Sequence, residues 1–343
     1  MNTVAVISIG KIECSKKSLL VLLCSFSAYA QAGFDVITLG SKGGIQDGNL
    51  TAFLIKDTHD THDTNYVTLD AGTVVNGLIV ADEKQAFKDI KLPKDSPYTK
   101  VGYVLREKIK GYLISHAHLD HLAGMIITSP DDSRKYIYGL PSVNGTITET
   151  YFNWQAWPNF GNRGQGYQLG KYQYRDLSAQ KWLPIKDTYL HAKALPLSHA
   201  GIESSAFLIK NNHKQVMVYL GDTGADSVEQ SDHLNSLWST LAPYIKNKQL
   251  KGIMIETSFT NKVPERSLYG HLTPKLLLEE LAVLEYKAGG KGSLTGLPIV
   301  ITHIKYSLLK NIDPQSIIKQ QLNAGNTFGV TFHFPVQGER FIL

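Results

Sequence analysis

Leu113-Ile114-Ser115-His116-Ala117-His118-Leu119-Asp120-His121-Leu122-Ala123-Gly124-Met125 passes from an apolar run, through a polar loop, into apolar residues at helical spacing. Its centre has the form His-x-His-x-Asp-His. In extended backbone, residues two apart project to the same side, so His116 and His118 can close on one cation. Asp120 and His121 stand where the chain changes to helical pitch, which turns them toward a second cation. A chance surface cluster is the competing account. Four ligand-type residues within six positions, directly after an apolar strand, argue against it.

One loop cannot complete two sites, because each zinc-like ion takes about four nitrogen or oxygen donors with a position kept for water. The remaining donors should come from other strand ends. His199 follows the strand-like residues 194–198, Asp222 follows Val218-Tyr219-Leu220-Gly221, and His303 follows Ile299-Val300-Ile301-Thr302. Each alone has an ordinary explanation: a histidine after a strand is commonly a polar cap, and Asp before Thr-Gly commonly forms a turn. Their shared placement at strand exits makes the metal reading the stronger one. His59-Asp60-Thr61-His62-Asp63 also looks like a metal motif, but its polar, turn-rich surroundings read as a solvated loop.

Outward from these segments the chain reads as mixed α/β. Strands are expected at 34–39, 50–56 and 66–70, the first ending in Gly40-Ser41-Lys42-Gly43-Gly44. Beyond Asp70-Ala71-Gly72-Thr73, helical segments alternate with short apolar strands at 112–115, 216–220, 253–255 and 299–302. No short-period repeat, low-complexity tract or linker divides residues 33–343, which are expected to form a single catalytic domain. With 343 residues, 43% hydrophobic and 19% charged, the chain can bury a large core.

Residues 1–32 read as a secretory signal. Lys16 and Lys17 precede an apolar run over 19–30, and Ala30-Gln31-Ala32 offers small residues for cleavage. Ser25, Ser27 and Gln31 break the run below the about 20 apolar residues a membrane span needs. Leu22 and Leu23 before Cys24 argue against lipidation. The expectation is therefore a secreted, periplasmic protein with no stable membrane association after cleavage. Cys14 and Cys24 both fall in the signal, so the mature chain would hold a transition metal through histidine and carboxylate alone. The formal charge of +5 becomes +3 without the signal's three lysines and one glutamate, and no basic run is clustered elsewhere. A nucleic-acid groove is not expected.

The ordered set His-x-His-x-Asp-His, His, Asp, His resembles the metallo-β-lactamase superfamily. That resemblance implies a four-layer αββα sandwich with two divalent metal ions at one edge of two facing sheets. It places His116, His118 and His199 on the first ion, Asp120, His121 and His303 on the second, and Asp222 between them. Gly40 through Gly44 and Leu69-Asp70-Ala71-Gly72 resemble the family's opening strands. The continuation through Ile126-Ile127-Thr128-Ser129-Pro130 is similar to the signature of the class II cyclic nucleotide phosphodiesterases. Gly221-Asp222-Thr223-Gly224, Ile255-Glu256-Thr257-Ser258-Phe259 and Gly270-His271-Leu272-Thr273-Pro274 resemble the same group.

The implied reaction is hydrolysis of the 3′ phosphoester of 3′,5′-cyclic nucleotides, cyclic AMP foremost, to the 5′-nucleoside monophosphate. Its nucleophile would be hydroxide shared between two metals. Zinc is the first metal to expect, although the mixed donor set also suits manganese, iron or cobalt. Asp120, His271 and Glu256 are the candidate catalytic residues, Asp120 also serving as a ligand. His271 would donate a proton to the leaving oxygen and Glu256 would orient it, because this His-x-Thr element with an acidic partner resembles that of ribonuclease Z. Tyr151, Phe152, Trp154, Trp157 and Phe160 could stack on a purine, but a packing role for most of them is favoured. A lactonase, thioesterase or β-lactamase would share the metals without the match beyond Gly124 or the His271 element. A ribonuclease-Z-like nuclease would want more positive charge, and a non-catalytic metal binder would be expected to have lost ligands.

Overall fold

The computed structural model describes residues 33–60 and 65–343. The expected signal, with Cys14 and Cys24, and the pair His62 and Asp63 lie outside the described residues. The first half of the chain comprises β1 (Phe34–Gly40), β2 (Lys42–Gly43), β3 (Ala52–Asp57), β4 (Tyr66–Leu69), α1 (Val75–Glu83), α2 (Lys100–Tyr103), β5 (Ile109–Leu113), α3 (Leu119–Thr128), β6 (Lys135–Gly139), α4 (Pro141–Thr146) and β7 (Tyr172–Asp176). The second half follows with β8 (Leu183–Pro184), β9 (Leu190–His199), β10 (Ile202–Asn211), β11 (Val216–Leu220), α5 (Asp226–Glu229), α6 (His233–Lys246), β12 (Leu250–Glu256), α7 (Pro274–Ala288), β13 (Pro298–Thr302), β14 (Ile304–Lys305), α8 (Pro314–Gly325), β15 (Thr331–His333) and β16 (Arg340–Ile342).

Two seven-stranded sheets result. One has the order β16-β1-β3-β4-β5-β6-β7 and the other β15-β13-β12-β11-β10-β9-β8. β4 through β7 are parallel, as are β11, β12, β13 and β15, so helices must carry the chain back between them. α3 makes that return between β5 and β6, and α7 between β12 and β13.

Side-chain alternation in the second sheet assigns the layers. Phe207, Ile209, Met217, Tyr219, Met254 and Val300 enter the core shared with the first sheet. Their neighbours Ala206, Leu208, Val216, Val218, Leu220, Ile253, Ile255, Ile299 and Ile301 face a second core under α6, α7 and α8. Phe53 meets Tyr219 edge-on across the sandwich, with ring centroids 6.3 Å apart. This is the expected four-layer αββα metallo-β-lactamase fold. Among the described residues, no helix is long and apolar enough to cross a membrane.

The strand expectations need one adjustment near the decisive loop. Residues 112–115 were expected to be extended, but β5 covers Ile109–Leu113. The ladder ends there because Ser115 turns its amide to Asp70 Oδ1, at 2.7 Å. α3 then starts at Leu119 with His118 as the preceding extended residue, so the expected change of pitch falls between the second histidine and Asp120.

Candidate metal centre

All seven expected ligands meet at one edge of the sandwich. The first sheet delivers His116, His118, Asp120 and His121 from the loop after β5 and the start of α3. The second delivers His199 as the last residue of β9, Asp222 two residues past β11, and His303 directly after β13. Potential donor atoms of His116, His118 and His199 lie within 4.8 Å of one another, as do those of Asp120, His121, Asp222 and His303.

Asp222 joins the two groups. Its Oδ2 is 3.9 Å from His116 Nε2 and 3.8 Å from His199 Nε2. Its oxygens are also 3.2 Å from His121 Nε2 and from His303 Nε2. Within each group, His199 Nε2 stands 3.3 Å from His118 Nδ1, and His303 Nε2 stands 3.1 Å from Asp120 Oδ2. Donors around a tetrahedral ion with metal–nitrogen bonds of about 2.0–2.1 Å stand about 3.3–3.4 Å apart. His116 Nε2 is buried with no hydrogen-bond partner, an orphan that ligation would satisfy. Spacing, donor chemistry and the orphaned nitrogen all fit a pair of divalent ions.

The electrostatics point the same way. Burial, reinforced by the neighbouring histidines, holds His116 well below the ordinary imidazole pKa and lowers His118 and His199, leaving neutral nitrogens with lone pairs to give. Burial alone would raise Asp222, yet His121 and His303 overcome it and keep the carboxylate well below its usual range. Burial likewise opposes charge on His121, but Asp222, Asp70 and Asp120 outweigh it and raise that histidine strongly. The carboxylates that favour positive charge on that ring would equally draw in a divalent cation in the proton's place.

A supporting set of bonds fixes each ring. Ser115 Oγ lies 3.1 Å from His116 Nδ1, and His199 Nδ1 donates to the Gly270 carbonyl at 2.7 Å. His121 Nδ1 donates to Asp70 Oδ2 at 2.7 Å, and His303 Nδ1 to Ser258 Oγ at 2.9 Å. Asp70 and His303 both take left-handed backbone, at φ of 54° and 57°. Such conformations cost energy and persist where their surroundings over-determine them. Gly43 permits the His303 placement: a Cβ there would lie 2.1 Å from the ring's Cε1. The Gly44 amide donates to Asp120 Oδ2 at 2.8 Å, so the glycine run after β1 forms one wall of the site.

Glu256 and His271 adjoin the cluster. Glu256 Oε1 is 2.8 Å from His271 Nδ1 and accepts from the Thr223 amide at 2.9 Å, which braces the loop carrying Asp222. Its Oε2 accepts from Ser258 Oγ at 2.5 Å, linking it to His303 through that serine. His271 Nδ1 is 3.8 Å from Asp222 Oδ2. Burial disfavours its charged form, but Glu256 and Asp222 together raise its pKa above the ordinary histidine value. Thr273 caps α7 by accepting from the Leu276 amide, with Pro274 as the first helical residue, which anchors the segment two residues beyond His271.

The aromatic group divides as favoured. Phe152 and Phe160 are buried core residues, and Trp157 packs against that core while its Nε1 donates to Ser129 Oγ at 3.0 Å. Tyr151 donates its hydroxyl to the Ala117 carbonyl in the metal loop at 2.8 Å, and Trp154 is exposed. Sequence reading passed over Asp70, Ser258 and Gly270 as parts of the site. The Leu-Asp-Ala-Gly turn at a strand exit carried a signal for Asp70, but its partners lie 45 to 149 positions away.

Comparison with known proteins agrees with this fold and identifies the family. Residues 34–338 match the family model of class-II cAMP phosphodiesterases. A 3′,5′-cyclic-nucleotide phosphodiesterase of Aliivibrio fischeri is 57% identical over 322 residues, covering 94% of this chain and 96% of its own length. A Yersinia pestis relative is 41% identical over 324 residues, covering 94% and 93%. The crystal structure of unliganded yeast PDE1 superimposes with a TM-score of 0.76 at 22% identity, over 91% of this chain and 100% of that one.

Proposed function

The chain belongs to the class-II cAMP phosphodiesterase family and is an enzyme of that kind, and from that premise we propose that it hydrolyses the 3′ phosphoester of 3′,5′-cyclic nucleotides, cyclic AMP foremost, at a centre of two divalent ions. The observation carrying this reading is Asp222, whose carboxylate lies within 3.9 Å of histidine nitrogens from both ligand groups. His116, His118 and His199 would hold one ion, Asp120, His121 and His303 the other, with Asp222 shared and zinc the first metal to test. When bound, such a pair supplies Lewis acidity toward the phosphate and lowers the pKa of a shared water toward about 7, making hydroxide available.

The protein's own residues then position and proton-balance the displacement. Hydroxide adds to phosphorus, the P–O3′ bond breaks, and the departing O3′ takes a proton. His271 is the proposed donor. Glu256 occupies Nδ1, leaving Nε2 as the nitrogen that can deliver it. Ser258 and Gly270 hold the rings of His303 and His199, and Gly44 holds the Asp120 carboxylate, so little reorganisation is left to the reaction itself.

A raised pKa keeps His271 protonated to higher pH, so activity should fall as pH rises through that value. His271→Ala should lower kcat by about 10²–10⁴-fold, abolish that basic limb and leave metal content unchanged. A second reading has His271 as a ligand, since its donor atom also lies within 4.8 Å of those of His199 and Asp222. Loss of an ion from His271→Ala, measured by atomic spectroscopy, would favour that reading.

The function itself is tested by exporting the full chain from bacteria, sequencing the N-terminus of the periplasmic product, and assaying cyclic AMP, cyclic GMP, a β-lactam and a lactone. Residues 1–32 are proposed to be removed as a signal, leaving 33–343 as the catalytic domain. Cyclic-nucleotide turnover to the 5′-monophosphate should disappear on exhaustive chelation and return with divalent metal. Turnover that survives complete metal removal would overturn the two-ion centre, and preferred cleavage of the lactone or β-lactam would overturn the substrate assignment.

A further inference from the structure

His59, at the start of the stretch that reads in sequence as a solvated loop, meets partners that sequence does not announce. Asp57 ends β3, His59 lies two residues on, and His213 sits in the turn between β10 and β11. This is the end of the sandwich opposite the candidate metal centre. β10 starts near His199 and runs ten residues to Asn211, a span of about 30 Å at about 3.3 Å per residue.

Asp57 is only 3% exposed. Its Oδ1 accepts from the His59 amide at 3.0 Å and from Asn211 Nδ2 at 3.2 Å, and lies 2.9 Å from His59 Nδ1. The His59 and His213 rings lie close together, with centroids 3.9 Å apart and planes tilted 33° to one another. Donor atoms of all three residues fall within 4.8 Å of one another. An ordinary Asp–His hydrogen bond accounts for the first pair but not for a second imidazole close against the first. Two imidazole nitrogens beside a buried carboxylate make a donor set suited to a borderline divalent ion. Both histidines reach solvent, which gives an ion a way in.

We propose that Asp57, His59 and His213 form a separate transition-metal site, of zinc type, that clips the end of β3 in the first sheet to the β10–β11 turn in the second. Two nitrogens and one carboxylate oxygen come from the protein, and water completes the coordination. The Asn211–Asp57 bond already joins these chain ends, so the ion reinforces an existing contact between the two sheets. None of the three residues belongs to the seven-donor cluster, and the site does not depend on the reaction proposed above.

The test compares the full chain with His213→Ala and His59→Ala. Each protein is stripped with chelator, equilibrated with Zn²⁺ and desalted. Zinc per chain is then counted by atomic spectroscopy, and thermal midpoints are recorded with and without zinc. The unmodified protein should retain one more zinc than either variant and show a larger zinc-dependent rise in midpoint than either variant, with cyclic-nucleotide turnover equal in all three. Equal zinc content in all three would overturn the site. So would a variant that loses zinc and turnover together, since that would place the effect at the other end of the molecule.

Discussion

Asp222→Ala should eliminate measurable cyclic-nucleotide turnover, with a loss of at least about 10³-fold, or about 4 kcal/mol of barrier. This buried carboxylate lies within 3.9 Å of histidine nitrogens from both candidate ligand sets. Its removal takes away the negative charge on which both proposed ions depend. It also takes from His121 Nε2 the carboxylate oxygen 3.2 Å away. Asp222→Asn keeps the volume and removes the charge, which separates electrostatics from packing. Metal content, circular dichroism and turnover should be measured together, because the expected variant is folded and metal-poor. A folded Asp222→Ala enzyme retaining a tenth of normal turnover would end the shared-carboxylate account.

The second large effect is expected at a residue that touches no proposed ion. Asp70 is completely buried and accepts from the Ser115 amide and hydroxyl, the Tyr219 hydroxyl and His121 Nδ1. Asp70→Ala strands four donors in the interior, each costing about 1–3 kcal/mol if it finds no water, and places alanine in left-handed backbone. A loss of about 3–5 kcal/mol is expected against a total stability of about 5–15 kcal/mol. The freed His121 ring should also weaken metal retention by about 10–100-fold. Asp70→Asn should recover more stability than metal binding, because an amide keeps an acceptor for Ser115 but can present a donor to His121. Urea unfolding and metal titration would check both parts. A wild-type unfolding midpoint for Asp70→Ala would contradict this description of the interior.

Much of the candidate site is legible in sequence because its proposed ligands sit where local pattern changes. His116, His118, Asp120 and His121 occupy a strand-to-helix transition, and His199, Asp222 and His303 terminate apolar runs of strand length. Strand period and ligand type are local properties, and local properties survive in a linear string. The supporting contacts do not. Tyr219 finds Asp70 across 149 positions, and Ser258 finds His303 across 45. Neither serine nor tyrosine differs in sequence from many that only pack or face water. The partner of His59 is equally hidden from local sequence, because His213 lies in a different hairpin of the other sheet. Local pattern shifts this strand toward Ser115 because hydrophobicity continues past Leu113, whereas the Ser115 amide bonds to Asp70 and the strand spans Ile109–Leu113.

The division of the seven donors between the two sheets bears on how the enzyme is born. A ribosome that has released residues 1–198 has supplied the four donors of the decisive loop but not His199, Asp222 or His303. The last of these follows β13, most of the way through synthesis. On the proposed two-ion reading, a polypeptide that ends before His199 lacks three of the seven donors and could neither hold a pair of ions nor hydrolyse a cyclic nucleotide. Hydrolytic competence would arise only when the later sheet closes onto the earlier one, so in refolding, secondary structure should return before activity does.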